Sequence, residues 1–147
     1  MTTVSGSCHC GALRVHFRPS RRLDNLAVRA CGCSFCTKHG ARTTTDPEGH
    51  LEIEIGDPAR LVRYRFAMNT ADFLVCGGCG VYLAAVMTEG ERAWATLNTI
   101  ILDEPDDDRF TAAIPVHYDA EDRDARIARR KAKWTPTSIR VAPATTA

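Results

Sequence analysis

The sequence lacks several features that would assign it to a large class of proteins. Its 147 residues carry a formal net charge of only +1, which provides no strong field to attract nucleic acid or an anionic membrane. No apolar run approaches the roughly 18 residues of a transmembrane helix. Residues 1–7 have neither a basic head nor an apolar core, so we expect no secretory signal and a cytoplasmic location. Internal repeats and linkers are lacking too, which predicts a single domain over residues 1–147.

The chain does contain seven cysteines, an odd number that full disulfide pairing cannot satisfy. They fall in three tight clusters, at residues 8–10, 31–36 and 76–79. Because cytoplasmic thiols are kept reduced, clustered cysteines favour metal binding over disulfide bridges. Four cysteines close a tetrahedral zinc site, whereas three leave one position open. The spacing therefore predicts two zinc sites, one structural and one open to chemistry.

The closed site is predicted to combine the first and last clusters, which supply Cys8, Cys10, Cys76 and Cys79. A glycine follows each pair, and glycine can adopt a positive φ that lets backbone amides point at sulfur. Such a site would join the N-terminal strand to the middle of the chain. The alternative is that one pair is merely buried cysteine. His9 lies between two of these ligands, but thiolates are the better ligands for a closed structural zinc.

The open site is predicted at Cys31, Cys33 and Cys36, which place three sulfurs within a short segment. Three thiolates on a dication leave one net negative charge, so a bound water would be only weakly acidified. A soft ligand such as an incoming thiol suits that position better. The pattern therefore indicates thiol chemistry rather than hydrolysis. Lys38 and Arg42 follow the triplet and are candidates to hold the carboxylates of a small anionic thiol.

Three alternatives to the open site remain at this stage. His39 or His9 could act as a fourth ligand and make the site structural. Cys33 and Cys36 could form a redox pair, although the surrounding pattern is not the βαβ setting of a thioredoxin-like motif. The two Cys-x-x-Cys pairs could also share one ion and leave Cys8 and Cys10 unused.

The hydrophobic pattern predicts a mainly β fold with one helix near the C-terminus. Alternation of apolar and polar residues predicts strands, and an apolar run predicts a central strand; the segments are 13–17, 51–55, 61–68, 81–87 and 93–100. Asp119 to Lys133 has acids first and bases later, which suits a helix macrodipole. Thr135-Pro136 should end that helix. Loops are expected at 46–49 and 103–108, and a loose tail from about residue 137 to 147.

Three blocks of the sequence carry a family resemblance. They are residues 7–12 (Ser-Cys-His-Cys-Gly-Ala), residues 31–38 (Cys-Gly-Cys-Ser-Phe-Cys-Thr-Lys) and residues 73–82 (Phe-Leu-Val-Cys-Gly-Gly-Cys-Gly-Val-Tyr). In these blocks the chain resembles the glutathione-dependent formaldehyde-activating enzyme family, which includes the centromere protein V type domain. The blocks span residues 7–82, and the later strands fit loosely to about Trp134.

The resemblance implies an Mss4-like β fold with zinc knuckles. It implies a structural zinc on the four-cysteine set and a second zinc on Cys31, Cys33 and Cys36, the catalytic residues, where a glutathione-bound aldehyde adduct would form. The implied reaction condenses glutathione with formaldehyde to S-hydroxymethylglutathione, a carbon–sulfur lyase activity. We therefore expect a small thiol and an aldehyde as partners, no nucleic acid and no membrane, with a homo-oligomer left open. The alternative is a non-catalytic carrier of glutathione or zinc.

Overall fold

The computed structural model describes residues 2–103 and 110–142, and strands predominate in this part of the chain. The strands are β1 (Val4–Ser7), β2 (Leu13–Arg18), β3 (Val28–Cys31), β4 (Thr43–Thr44), β5 (His50–Ile55), β6 (Leu61–Tyr64), β7 (Asp72–Cys76), β8 (Tyr82–Glu89), β9 (Arg92–Asn98), β10 (Ile114–Val116) and β11 (Thr135–Val141). The helices are α1 (Ser34–His39) and α2 (Arg123–Lys133). The mainly β, single-domain fold with one main helix is therefore confirmed. No helix in the described residues is long and apolar enough to cross a membrane.

All the strands belong to one hydrogen-bonded sheet, whose main path runs β1-β2-β5-β11-β9-β4-β3-β10. A branch leaves β9 through β8 and β7 to β6. Strand β11 joins the two halves, because it pairs in parallel with β5 and antiparallel with β9. The order places β3, which ends at Cys31, between β4 and β10.

The main core lies between the β2–β5 face and the β7–β9 face. Alternation in β2 and β5 places apolar side chains opposite one another, as in the pairs Leu13 with Ile55 and Val15 with Ile53. These side chains pack in one cluster with Leu74 of β7 and with residues of β8 and β9. The strands predicted at 13–17 and 51–55 are therefore confirmed, and their period of two accounts for the core.

Strand β8 is buried on both faces, which explains its unbroken apolar run. Leu83 and Val86 belong to the main core, whereas Ala85 and Met87 belong to a second cluster that also contains Trp134. Ile127 of α2 packs against this second cluster, so the helix covers that face. The central strand predicted at 81–87 is confirmed.

Two strand boundaries differ from the prediction. The strand predicted at 61–68 ends at Tyr64, and Ala67 adopts a φ of 55° beyond it. In the described residues β6 pairs only with β7, and Val62 and Tyr64 are 44% and 48% exposed. This edge strand therefore has few side-chain contacts that could continue it beyond Tyr64. The strand predicted at 93–100 ends at Asn98, where a short turn follows.

The helices also differ from the prediction. Helix α2 begins four residues later than Asp119, because the carboxylate of Asp122 accepts a hydrogen bond from the Ala125 amide and caps the helix there. The short helix α1 was not expected. It begins after Cys33, whose sulfur accepts a hydrogen bond from the Cys36 amide at 3.4 Å, and it ends at Gly40 in the left-handed region.

The loose tail predicted from residue 137 is wrong for residues 137–141, which form most of β11. Its residues pair with β5 in the register Thr137 opposite Leu51 to Val141 opposite Ile55. The segment contains few apolar residues, so its period of two is weak, and the neighbouring strands determine its conformation. Residues 143–147, and residues 104–108 of the predicted acidic loop, lie outside the described residues.

Candidate functional site

The four-cysteine set comes together at the tips of two turns. The sulfurs of Cys8, Cys10, Cys76 and Cys79 lie within 4.8 Å of one another. The first turn joins β1 to β2 and the second joins β7 to β8. The first closes with a hydrogen bond from the Gly11 amide to the Cys8 carbonyl at 3.1 Å, and the second, one residue longer, with a bond from the Gly80 amide to the Cys76 carbonyl at 2.7 Å. The two glycines have φ values of 82° and 84°, a region that favours glycine.

The spacing of these sulfurs suits a tetrahedral zinc ion. Zinc–sulfur bonds of about 2.3 Å place neighbouring sulfurs about 3.8 Å apart. The Cys10 sulfur lies 3.7 Å from that of Cys8 and 3.6 Å from that of Cys76. The Leu13 amide also points at the Cys8 sulfur, at 3.4 Å. The cluster can therefore hold a metal ion with the donor set and spacing of a closed zinc site.

The surroundings of the four-cysteine set shift the pKa values of several of its thiols. The hydrogen bond from the Ala12 amide lowers the pKa of Cys10 to about 6, and the Arg60 guanidinium, 3.2 Å from the sulfur, assists. Burial raises the pKa of Cys8 to about 11. Although burial opposes the change, backbone hydrogen bonds also lower the pKa of Cys79. Metal binding must therefore displace the proton of the buried Cys8 thiol.

The three-cysteine set lies where β3 turns into α1. Cys31 ends the strand, Cys33 caps the helix and Cys36 lies in its first turn, and the three sulfurs lie within 4.8 Å of one another. A hydrogen bond with Cys36 lowers the pKa of Cys31 to about 5, while the same bond raises the pKa of Cys36. The set therefore carries a thiolate at neutral pH and can hold a metal ion.

The positions of the sulfurs bear on two alternatives that the sequence left open, an ion shared by the two Cys-x-x-Cys pairs and a histidine as fourth ligand. Cys33 and Cys36 group with Cys31, and not with Cys76 and Cys79. In the described residues neither cysteine set includes a histidine. The His39 ring instead packs against Phe35, with the ring centroids 4.5 Å apart.

His117, the residue after β10, lies against the three-cysteine loop at Gly32. The sequence did not predict this contact. Val116 lies beside Cys31 in the parallel pairing of β10 with β3, and its carbonyl accepts a hydrogen bond from the Gly32 amide at 2.9 Å. A Cβ atom on Gly32 would overlap the ring of His117. Glycine is therefore required at this position by the close approach of the imidazole.

A cavity of about 690 Å³ adjoins the three-cysteine set and not the four-cysteine set. Its size is typical of small-molecule sites, which are roughly 300–1,000 Å³. Its lining includes the three cysteines and aromatic side chains such as Phe73 and Tyr82. A cationic wall of the same cavity contains Arg126, Arg129, Arg130 and Lys133, all from α2.

The cations of α2 replace those that sequence reasoning proposed for anion binding. Lys38 and Arg42 are exposed and do not line the cavity. The α2 cations recur three or four residues apart, which places them on one face of a helix. The spacing of these cations is visible in the sequence. Their position beside cysteines some ninety residues earlier could not be predicted from it, because no local signal connects the two segments.

Ion pairing and stacking fix the orientation of these cations. Glu121 accepts hydrogen bonds from Arg129 at 2.7 and 3.0 Å, and these bonds lower the pKa of its carboxyl group. The Arg129 guanidinium also lies 3.7 Å from the centre of the Tyr118 ring. Arg130 donates to the Thr70 hydroxyl at 2.7 Å and lies over the Trp134 ring. The cavity wall is therefore pre-organised.

Comparison with known proteins agrees with this geometry. The sequence profile described as glutathione-dependent formaldehyde-activating enzyme matches residues 3–118, which include both cysteine sets. A crystal structure of a Rhodobacter sphaeroides protein, a structural genomics target, is similar with a TM-score of 0.56 and 28% sequence identity. That match covers 78% of this chain and 99% of the other. The chain therefore belongs to the glutathione-dependent formaldehyde-activating enzyme family.

Proposed function

We propose that the protein acts as a carbon–sulfur lyase that condenses a small thiol, such as glutathione, with formaldehyde or a related aldehyde. The observation that carries the proposal is the position of the cavity. Among the described residues its walls include Cys31, Cys33 and Cys36 but none of the other four cysteines. The cavity thus gives a small molecule access to the three-cysteine set.

We assign the two cysteine sets to two zinc ions with different roles. Cys8, Cys10, Cys76 and Cys79 would hold a structural zinc, since their sulfur spacing fits a closed tetrahedron. Cys31, Cys33 and Cys36 would hold a second zinc and leave one position for an exogenous ligand. When bound there, zinc would supply the charge that keeps an incoming thiol ionised at neutral pH.

The chain itself contributes position and charge. The reaction adds a thiol across a carbonyl group: a carbon–sulfur bond forms, the carbon–oxygen π bond breaks, and the thiol proton ends on the oxygen. Thiols add to aldehydes unaided, so holding both reactants in one cavity is the main source of acceleration. The cationic face of α2 favours an anionic thiol such as glutathione and offsets the negative charge of the cysteines.

The experiment that tests this proposal measures binding and turnover separately. Calorimetry with the zinc-loaded protein should detect glutathione binding, with proton release revealed by two buffers of different ionisation enthalpy. Binding should disappear when Cys31, Cys33 and Cys36 are all changed to serine. The matched control is Lys38→Ala, which lies outside the cavity and should bind normally.

Adduct formation is then followed by NMR after formaldehyde is added. The proposal expects adduct to form faster, and saturably, compared with free glutathione at the same concentration. Binding with an uncatalysed rate would replace the enzyme with the non-catalytic carrier. Absence of glutathione binding would reject both.

A further inference from the structure

Two buried polar atoms in the described residues lack a hydrogen-bond partner, and both belong to the cavity wall. They are the hydroxyl oxygen of Tyr82 and the Nε atom of Arg130. Buried polar groups are nearly always paired, because an unpaired one loses its hydration without compensation. Two such atoms in one cavity therefore indicate a ligand that pairs with them.

Arg130 has the properties of a residue that binds an anion. Its side chain is only 7% exposed, and among the described residues it forms no ion pair with a carboxylate. Glu121, the nearby acid, is already bound by Arg126 and Arg129. Thr70 occupies one nitrogen of the Arg130 guanidinium, which leaves further donors of a planar group whose geometry matches a carboxylate.

Tyr82 supplies a second donor in the lining of the same cavity. It is 2% exposed and packs in one buried cluster with Cys36. Its hydroxyl group has no hydrogen-bond partner among the described residues. A tyrosine hydroxyl is a hydrogen-bond donor at neutral pH and can donate to a carboxylate oxygen.

We propose that Arg130 and Tyr82 form a carboxylate subsite, which restricts the substrate to thiols that carry a carboxylate. This inference rests on the proposed thiol site at Cys31, Cys33 and Cys36 and adds a second point of attachment to it. A carboxylate held by the pair keeps the attached thiol beside the cysteines. Neutral and cationic thiols lack this attachment and leave the arginine without a counter-charge.

The test compares two thiols of similar size with the zinc-loaded protein. The probes are 3-mercaptopropionate, which has a carboxylate, and 2-mercaptoethanol, which has a hydroxyl group instead. Calorimetry should give at least about tenfold tighter binding for 3-mercaptopropionate, the scale of a hydrogen-bonded charged group. Tyr82→Phe keeps the packing and should reduce that preference several-fold, while 2-mercaptoethanol binding stays unchanged.

Two further variants separate the subsite from general attraction by α2. Arg130→Lys should also reduce the preference, because a lysine cannot replace the planar guanidinium. Arg123→Met removes an exposed cation of the same helix that does not line the cavity, and it should change the preference less than twofold at physiological salt. Equal binding of the two thiols by the wild-type protein, or an effect of Arg123→Met as large as that of Tyr82→Phe, would overturn the subsite.

Propionate, which has no thiol, makes the subsite testable apart from the thiol site. Its addition should shift the Nε–H resonance of Arg130 in the ¹H–¹⁵N spectrum, and Tyr82→Phe should weaken that response. A shift in protein that binds no thiol would support the subsite while rejecting the proposed function. No shift, with both thiols bound equally, would reject the subsite while retaining the proposed function.

Discussion

Replacing one cysteine in each set should affect stability very differently. Cys76 is completely buried and belongs to a set that joins two turns far apart in the sequence, since Cys10 and Cys76 are 66 residues apart. Cys36 belongs to a set contained in a single short segment. Cys76→Ser should therefore unfold or severely destabilise the zinc-loaded protein, whereas Cys36→Ser should be milder.

The difference can be estimated from chain entropy. A cross-link that closes a loop of this length restricts the unfolded chain by about 4 kcal/mol, whereas one within six residues restricts it by about 2 kcal/mol. For a chain of this size, about 4 kcal/mol corresponds to a fall in Tm of roughly 10 °C. Metal–sulfur bonding adds to both values, because zinc in small domains contributes about 10 kcal/mol or more to folding.

Circular dichroism during thermal unfolding measures the effect, with wild type, Cys76→Ser and Cys36→Ser each loaded with zinc. The matched control repeats the series in a strong chelator. If Cys76 acts as a ligand, its replacement should cost much less in the metal-free protein than in the loaded one. Equal falls in Tm for the two variants would refute the division of roles, and an unchanged cost in chelator would show that Cys76 stabilises by packing alone.

Two further changes test the surroundings of the cavity. Gly32→Ala should destabilise the protein by about 1–3 kcal/mol and weaken glutathione binding, because the added Cβ overlaps the His117 ring. In thermal unfolding, adding His117→Ala should restore part of the lost Tm. A double variant no more stable than Gly32→Ala would contradict this account. Glu121→Gln should cost about 1 kcal/mol at pH 7. The pKa of Glu121 is lower in the folded protein than in the unfolded chain, so its carboxylate stabilises the fold above the unfolded-state pKa and loses this effect as the pH falls through the folded-state pKa. The Tm values of the variant and the wild type should therefore converge in acid. A difference in Tm that stays constant with pH would refute the pairing.

The turns that carry the cysteine pairs could be predicted because their signals are local, whereas the sequence left open which pairs share an ion. Each pair in the four-cysteine set is followed by a glycine, and that glycine adopts the positive φ that the turn needs. The strands of the main core were predictable for the same reason, since Leu13 and Val15 show a clear period of two. In these segments the local sequence and the packed structure agree.

The cationic wall and the last strand could not be predicted, because both depend on partners distant in sequence. Strand β11 acquires its conformation from β5 and β9, which lie on either side of it. Arg130 and Tyr82 meet the same cavity from α2 and β8, and no spacing rule connects them. Helix α1 is only six residues long, and its start is capped by the Cys33 sulfur; the cysteine spacing alone did not predict this cap.

The charge around each cysteine set gives a physical reason for the different roles that we propose for them. A closed site with four thiolates on a dication has two net negative charges, and Arg60, hydrogen-bonded to Cys10 at the protein surface, offsets part of them. The three-cysteine set would reach the same charge only after a substrate thiolate is added. Four cations of α2 already line the cavity where that thiolate would enter. Under the proposed assignment, the positive charge at this cavity matches the complex with a substrate thiolate better than it matches the three-cysteine site alone, and it would favour thiolate capture.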